Sequence, residues 1–427
     1  MEEINPFAVS KPTTLKDVVE DFVKTYETTP IAQWEILVWP KVKLLNEKHH
    51  TPIDERDLRD LYDHYVDFVK ETQRNHEEEE ILDLFLKKPK EGTYKLAEYI
   101  VSKYNIITVG ERDREMFIYK DGYYHPGADN LIIYPEIQRI LKHHVNRSAK
   151  SETHHKICDM TSHSRKVFTE TPLRYIPLRN GVFDFETKAL LPHSPSYRFM
   201  YQFPILYDPL ATCPLTSAFM YQVLTPTQRT IVEEWVGYYF WRNYMFKKAI
   251  IFVGAGDTGK TTLLEVIMNL LGVDNISSIS LQKMSSDKFS AAHLNEKHGN
   301  IVDELSAKDI SDTGAFKMAT GGGTITGEYK FGNQFGFKNF SKFTFACNRI
   351  PDVSDTNDEA YFNRWVVIRF ENVIKKVIPN FIQTLCTEEE RSGLFNLALA
   401  GLERLLKEKR FSYYNTAEQT KSEMLRS

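Results

Sequence analysis

FVGAGDTGKTTLL, residues 252–264, is the stretch on which the reading of this chain turns. Ahead of it, KAIIFV (248–253) is a short apolar run of the kind a buried strand shows. Behind it, TLLEVIMNLLG (262–272) carries apolar side chains at helical spacing. Between them lie Gly254, Ala255, Gly256, Asp257, Thr258, Gly259, Lys260, Thr261 and Thr262, which satisfy GxxxxGK[ST]. Each part has a physical reason. Glycines let backbone N–H groups turn inward around phosphate oxygens, and the helix that follows adds partial positive charge at its N-terminus. Lys260 is suited to the β- and γ-phosphates of a nucleotide, and Thr261 to ligating Mg2+. A glycine-rich turn that merely precedes a helix explains neither Lys260 nor Thr261.

A phosphate loop alone is shared by kinases, GTPases and motors, so the residues downstream decide. HGNIVDELSA (298–307) reads as a short strand ending in Asp303-Glu304. Two adjacent carboxylates at a strand end suit two tasks: one orients Mg2+ and the other polarises an attacking water. SKFTFACN (341–348) is another apolar strand, ending at Asn348, an amide able to position that water. YFNRWVVIRF (361–370) sets Arg364 just ahead of a strand. Such an arginine can act on a neighbouring subunit's nucleotide, an effect worth roughly 10³–10⁵ in rate. From 248 to about 370 strands and helices alternate, the pattern of an α/β domain.

Bulk properties set the outer limits. At 427 residues the chain is long enough for two or three domains. No apolar run approaches the ~18 residues of a membrane span. The N-terminus lacks the basic head and apolar stretch of an export signal. The four cysteines are dispersed without a CxxC pair, so a reducing, cytoplasmic setting and no zinc ribbon are expected. Net charge is −4, but the first hundred residues hold 14 basic against 22 acidic side chains. The acidic excess therefore belongs to the N-terminal region.

That region reads as helical. TTLKDVVEDFVKTY (13–26) has one apolar face, and a second helix is expected from TPIDERDLRD, with Thr51 as cap and Asp54 at the positive helix end. Glu77 to Glu80 are expected on a solvated helix face. MFIYKDGYYHPG (116–127) predicts a hairpin turning at Asp121-Gly122. LIIYPEIQRILKHH (131–144) predicts a strand or turn running into a helix. TPTQRTIVEEWVGYYFW (225–241) predicts a helix with Pro226 in its first turn, its aromatics serving packing. Between Arg139 and Lys166 the chain is rich in Arg, Lys and His, which suits either phosphate contact or a solvated surface. His154, His155, Cys158 and His163 fit no regular zinc spacing.

Taken together these motifs resemble the superfamily III helicases, a branch of the AAA+ ATPases, in the form found in phage and plasmid primase–helicases and their poxvirus relatives. The stretches that carry the likeness are RNGVFDFETKALLPHSPSYRF, FPILYDPLATCP, GAGDTGKTTLLEVI, NIVDELS, FKMATGGGTITGEYKFGNQFGFKNFSKFTFACNRIPDVSD and FNRWVVIRF, spanning roughly residues 100–410. The resemblance implies a P-loop ATPase domain with a central, mainly parallel sheet. An α+β pre-helicase domain and an N-terminal helical segment would precede it. Boundaries are expected at 1–100, 101–210, 211–247, 248–375 and 376–427. It implies Lys260 and Thr261 as the Walker A pair, Asp303 and Glu304 as the Walker B pair, Asn348 as the sensor and Arg364 as the finger. It further implies a β-hairpin, tip near Glu328 to Gln334, reaching single-stranded DNA in the channel of a homo-oligomeric, hexameric ring. Lys330 and Phe331 are the candidates there, a cation for phosphate and a ring for a base.

Two departures bear on that likeness. Paired metal-binding aspartates of a primase are not seen, so no primer synthesis is expected and a separate primase or polymerase is the implied partner. The family's C-terminal winged helix is not recognised after GLFNLALAGLERLLKEK (393–409). Two other readings remain open on the residues: an initiator or loader that assembles on DNA without unwinding, and a monomeric P-loop kinase.

Overall fold

The computed structural model describes residues 33–48, 52, 54–110, 114–287, 289–306, 310, 312–330, 333–374 and 378–425. The helix expected over 13–26, the cap Thr51 and the tip residue Phe331 lie outside them. The chain divides into two compact units, one holding residues up to Tyr104 together with Ala128–Ser162, the other holding Asn105–Gly127 and His163 onward. The stretch 101–210, expected to be one α+β segment, is thus divided between the two.

The first unit is helical. Short helices α1 (Trp34–Leu37) and α2 (Trp39–Lys48) pack through Trp34, Val38 and Val42 onto Leu58, Tyr62 and Val69 of the long α3 (Glu55–Lys87). Asp54 caps α3, its carboxylate accepting from Arg56 N. Helix α4 (Pro89–Lys103) runs close to α3: a Cβ on Gly92 would fall 2.3 Å from Phe85 Cα, so only glycine fits there. Helices α5 (Tyr134–Leu141) and α6 (Arg147–Met160) complete the unit. Residues 129–133, expected as a strand or turn, form a π-helical turn leading straight into α5. The apolar run LII is read equally well by a buried helical turn, because a short run lacks the length to separate the two periods.

The acidic run is corrected at one position. Glu77, Glu79 and Glu80 are solvated, but Glu78 faces inward and is buried. It accepts two hydrogen bonds from the Arg139 guanidinium, both 2.5 Å, and one from Tyr99 Oη. Burial pushes the Glu78 carboxyl up, yet the Arg139 and Tyr99 bonds outweigh it and hold it below its ordinary range.

The second unit opens with β1 (Ile106–Val109), β2 (Glu115–Lys120) and β3 (Tyr123–Pro126), paired antiparallel in succession. The β2–β3 turn is Asp121-Gly122, both at positive φ (53° and 95°), as a tight hairpin turn requires. A second meander follows, β4 (Tyr175–Leu178), β5 (Gly181–Asp184) and β6 (Ala189–Leu191). Helix α7 (Pro214–Val223) leads to α8 (Pro226–Tyr239), which starts with a complete capping box between Thr225 and Gln228.

The central sheet has β7 (Ala249–Val253), β8 (Ile276–Ser277), β9 (Gly299–Val302), β12 (Lys342–Cys347) and β13 (Trp365–Arg369), in the order β13-β7-β12-β9-β8, every pair parallel. Between β9 and β12 the chain forms a hairpin of β10 (Thr324–Glu328) and β11 (Gln334–Lys338). Alternate residues of β7 enter separate cores. Ile250 and Phe252 join α8, α9 (Lys260–Leu271) and α14 (Glu388–Glu408); Ala249, Ile251 and Val253 join the core on the other face. Both faces are covered, which is why the strand reads as an unbroken apolar run. The aromatics Tyr238, Tyr239 and Phe240 belong to the first core and Tyr244 to the second, a packing role. Among the described residues no helix is long and apolar enough to cross a membrane.

Candidate active site

The loop from Gly254 to Gly259 joins β7 to α9, and two glycines are needed for its shape. A Cβ on Gly254 would fall 2.4 Å from Phe370 O, and Gly259 stands at φ +91°. Gly256 is different: a Cβ there would meet nothing within 4 Å. The fold itself does not demand glycine at 256, whereas a ligand approaching the backbone would. Lys260 is buried and curls back over the loop, its Nζ donating to Gly254 O (2.7 Å) and Ala255 O (2.6 Å). Burial lowers its pKa, with Cys347 and Asp257 opposing that shift. The Cys347 thiol beside it is pushed up to about 12 by burial and so stays neutral.

Three strand ends meet at this edge. Val253 pairs with Cys347, so Gly254 and Asn348 leave the sheet side by side, with Gly254 N donating to Cys347 O (3.3 Å). Val302 pairs with Phe345, and Leu305 N donates to Ala346 O (2.8 Å), which sets Asp303 and Glu304 at the same edge beyond the strand. The side chains of Thr261, Asp303, Glu304 and Asn348 are exposed. Among the described residues none of the four has a side-chain hydrogen bond or ion pair. This donor set fits Mg2+ held through Thr261 and Asp303 together with the phosphates of a nucleotide. Elsewhere among the described residues, no cluster of three or more His, Cys, Asp or Glu could hold a metal.

Arg364 is not brought to this edge. Its carbonyl accepts from Ala249 N (2.7 Å) at the amino end of β7, five residues before Gly254. At about 3.3 Å per residue that is roughly 16 Å from the loop. The guanidinium is held by its own chain: Nε donates to Thr320 Oγ1 (2.9 Å), Nη2 to Lys317 O (3.4 Å) and Nη1 to Ala360 O. Asp358 fixes both flanks of this holder. It caps the helix α12 (Glu359–Phe362) and accepts from Lys317 Nζ (2.6 Å) and Thr313 Oγ1 (2.7 Å). Thr320 and Asp358 escaped the sequence reading because no local pattern ties them to Arg364; only the tertiary fold does.

The β10–β11 hairpin brackets its tip with Glu328 and Gln334, joined by a 2.9 Å side-chain bond. Tyr329 stacks on Phe335 (5.4 Å between ring centres) and donates to Ala292 O (3.1 Å). Lys330 is exposed beside them. The hairpin springs from Thr320 through three glycines, so its root and the holder of Arg364 are the same segment.

Two family models match parts of the chain. Residues 252–364 match a family described as "Family of unknown function (DUF5906)", and residues 55–225 match one described as "D5 N terminal like". Over 127 residues the chain is 31% identical to L207/L206 of Acanthamoeba polyphaga mimivirus, a protein named as a candidate helicase. The match covers 28% of this chain and 13% of the length of that relative. Two apo structures of the NrS-1 C-terminal region share the fold. One has TM-score 0.52 at 15% identity, covering 78% of this chain and 74% of that one. The other, the A form, has TM-score 0.51 at 14% identity, covering 78% and 73%.

Proposed function

We propose that this chain is the motor of a replicative helicase of a virus, phage or plasmid, a superfamily III AAA+ ATPase that hydrolyses ATP while moving on single-stranded DNA. One observation carries the reading: three adjacent parallel strands deliver the glycine loop, Asp303-Glu304 and Asn348 to one open edge. The loop N–H groups and Lys260 bind the triphosphate, and Glu304 takes the proton of a water that Asn348 orients. Mg2+, held by Thr261 and Asp303, would neutralise charge developing on the phosphates.

Arg364 lies too far from its own loop to serve it, which favours action on a neighbour's nucleotide within a ring, hexameric by family resemblance. Lys330 and Phe331 are then the candidates for contact with the strand. The mimivirus relative's name and the fold shared with the NrS-1 region support this reading over a small-molecule kinase.

Lys260→Ala tests it. ATP turnover should fall at least about 10²-fold, as expected on removing a charge aimed at the transition state, and strand displacement should stop. An active wild-type chain that hydrolyses ATP as a monomer, indifferent to oligonucleotides, would falsify the motor. Wild-type DNA-stimulated turnover without strand displacement would favour the loader instead.

A further inference from the structure

The helical unit carries a polar surface that the ATPase does not use. Tyr134 and Gln138, one turn apart on α5, face Arg147, Lys150, His154 and His155 of α6 across an open cleft of about 750 Å3. Positions 147, 150 and 154 recur on one face of α6, so the cations point the same way. Among the described residues no Asp or Glu lines the cleft.

Several of the unit's other cations are paired, although Lys48, Arg56, Lys90 and Lys142 likewise have no ion pair among the described residues. Arg139 is engaged by Glu78 and Glu136, Lys103 by Glu136, and Lys156 by Glu152 and Thr93. Arg147 and Lys150 have no ion pair or hydrogen bond with any described side chain. Carboxylates are abundant in this part of the chain, with 22 in the first hundred residues. A fold selected for stability alone would be expected to spend one of them here, since like charges a turn apart repel. Beside the cations lies one aromatic pair: the Tyr134 ring of α5 stacks on His154 of α6, 5.6 Å between centres and 29° between planes. Unneutralised cations beside a flat aromatic surface are the two elements by which proteins hold single strands, one for phosphates and one for bases.

We propose that this cleft is a second binding site for single-stranded nucleic acid, with Arg147 and Lys150 on phosphates and Tyr134 and Gln138 toward a base. It is independent of the ATPase reading, because it is built wholly within the helical unit. The test uses the full chain carrying Arg147→Gln and Lys150→Gln together, the first exposed and the second half-buried, each keeping a long polar side chain. Affinity for a fluorescent fifteen-residue oligothymidylate is measured without nucleotide across a salt series, in the wild-type and Lys330→Ala backgrounds so that hairpin contact is separated. In both backgrounds the double variant should lose about tenfold in affinity. Two lost phosphate contacts should also flatten the slope of log K against log salt by about 1.4. Basal ATP turnover should be unchanged. Equal affinity and slope in variant and parent would overturn the proposal. So would displacement of the oligonucleotide from the cleft by free mononucleotide at equal phosphate concentration, which would make this a nucleotide pocket.

Discussion

The two edges of the central sheet differ in how their polar groups are employed. At the carboxyl edge Thr261, Asp303, Glu304 and Asn348 are exposed and uncommitted among the described residues, around a loop whose Gly256 faces open space. At the amino edge the cations are held by their own chain. Arg364 is bound to Thr320, Lys317 and Ala360. Lys342, fully buried, donates to Phe340 O (2.7 Å) and Trp241 O and lies 4.3 Å from the Tyr238 ring centre. His298, also fully buried, contacts Tyr239 O through Nδ1 (2.8 Å) among the rings of Tyr201, Phe203 and Phe340. One edge leaves its polar side chains open to solvent, and the other ties its cations to its own chain. A rigid edge suits a residue presented to a neighbour, because a guanidinium must be held still to stabilise charge that develops elsewhere.

The contrast breaks most sharply at Arg364. Arg364→Ala should cut ATP turnover by roughly 10³-fold or more, the low end for a trans-acting arginine, while leaving nucleotide binding within a few-fold of wild type. Mixing Arg364→Ala with Lys260→Ala chains should restore part of the turnover, because some seams then join an intact loop to an intact arginine. Absence of recovery in assemblies shown to be mixed would assign Arg364 to its own chain's stability.

The amino edge should also show itself in acid. Burial lowers the His298 pKa to about 3, and the Nδ1 contact with Tyr239 only partly opposes that. Unfolded, the imidazole titrates near 6.5. Between these values the unfolded chain binds a proton that the folded chain refuses, so stability falls as pH drops from about 6.5 toward 3, by up to about 1.4 kcal/mol per pH unit. Above pH 6.5 the contribution is complete and flat. His298→Phe should remove this component of the slope in denaturant midpoints measured from pH 7 to 4.5, at some cost at neutral pH from the orphaned Tyr239 carbonyl. An unchanged slope would show that the ring is hydrated in solution.

What was legible in the sequence follows the same division. The phosphate loop is contiguous and its geometry dictates residue types, so GAGDTGKTT reads directly. Asp303, Glu304 and Asn348 read as strand ends because HGNIV and KFTFAC stop there, whereas the β10–β11 hairpin is expected only from the family resemblance. The amino edge does not read. That Arg364 sits opposite the loop depends on β13 pairing parallel to β7, a long-range choice that no local pattern records. The same limit hid Glu78: an acidic run on a helix has a side that faces in, and only the position of Arg139, sixty-one residues away, decides which glutamate it is.

The smallest effect that sharpens the contrast lies at Thr320. Its buried hydroxyl donates to Phe316 O (2.7 Å) and accepts from Arg364 Nε (2.9 Å). Thr320→Val keeps the shape and deletes both bonds, leaving Nε without its acceptor, a loss of about 1–2 kcal/mol in unfolding free energy. Lys317 O and Ala360 O still hold the other nitrogens, so the guanidinium is loosened rather than freed. Turnover in assembled rings should fall several-fold through kcat, with nucleotide affinity unchanged, and Thr320→Ser should restore it because the hydroxyl returns. Should Thr320→Val lower stability while each ring turns over at the wild-type rate, the bond serves folding alone, and the rigidity of this edge has no part in the chemistry at the seam.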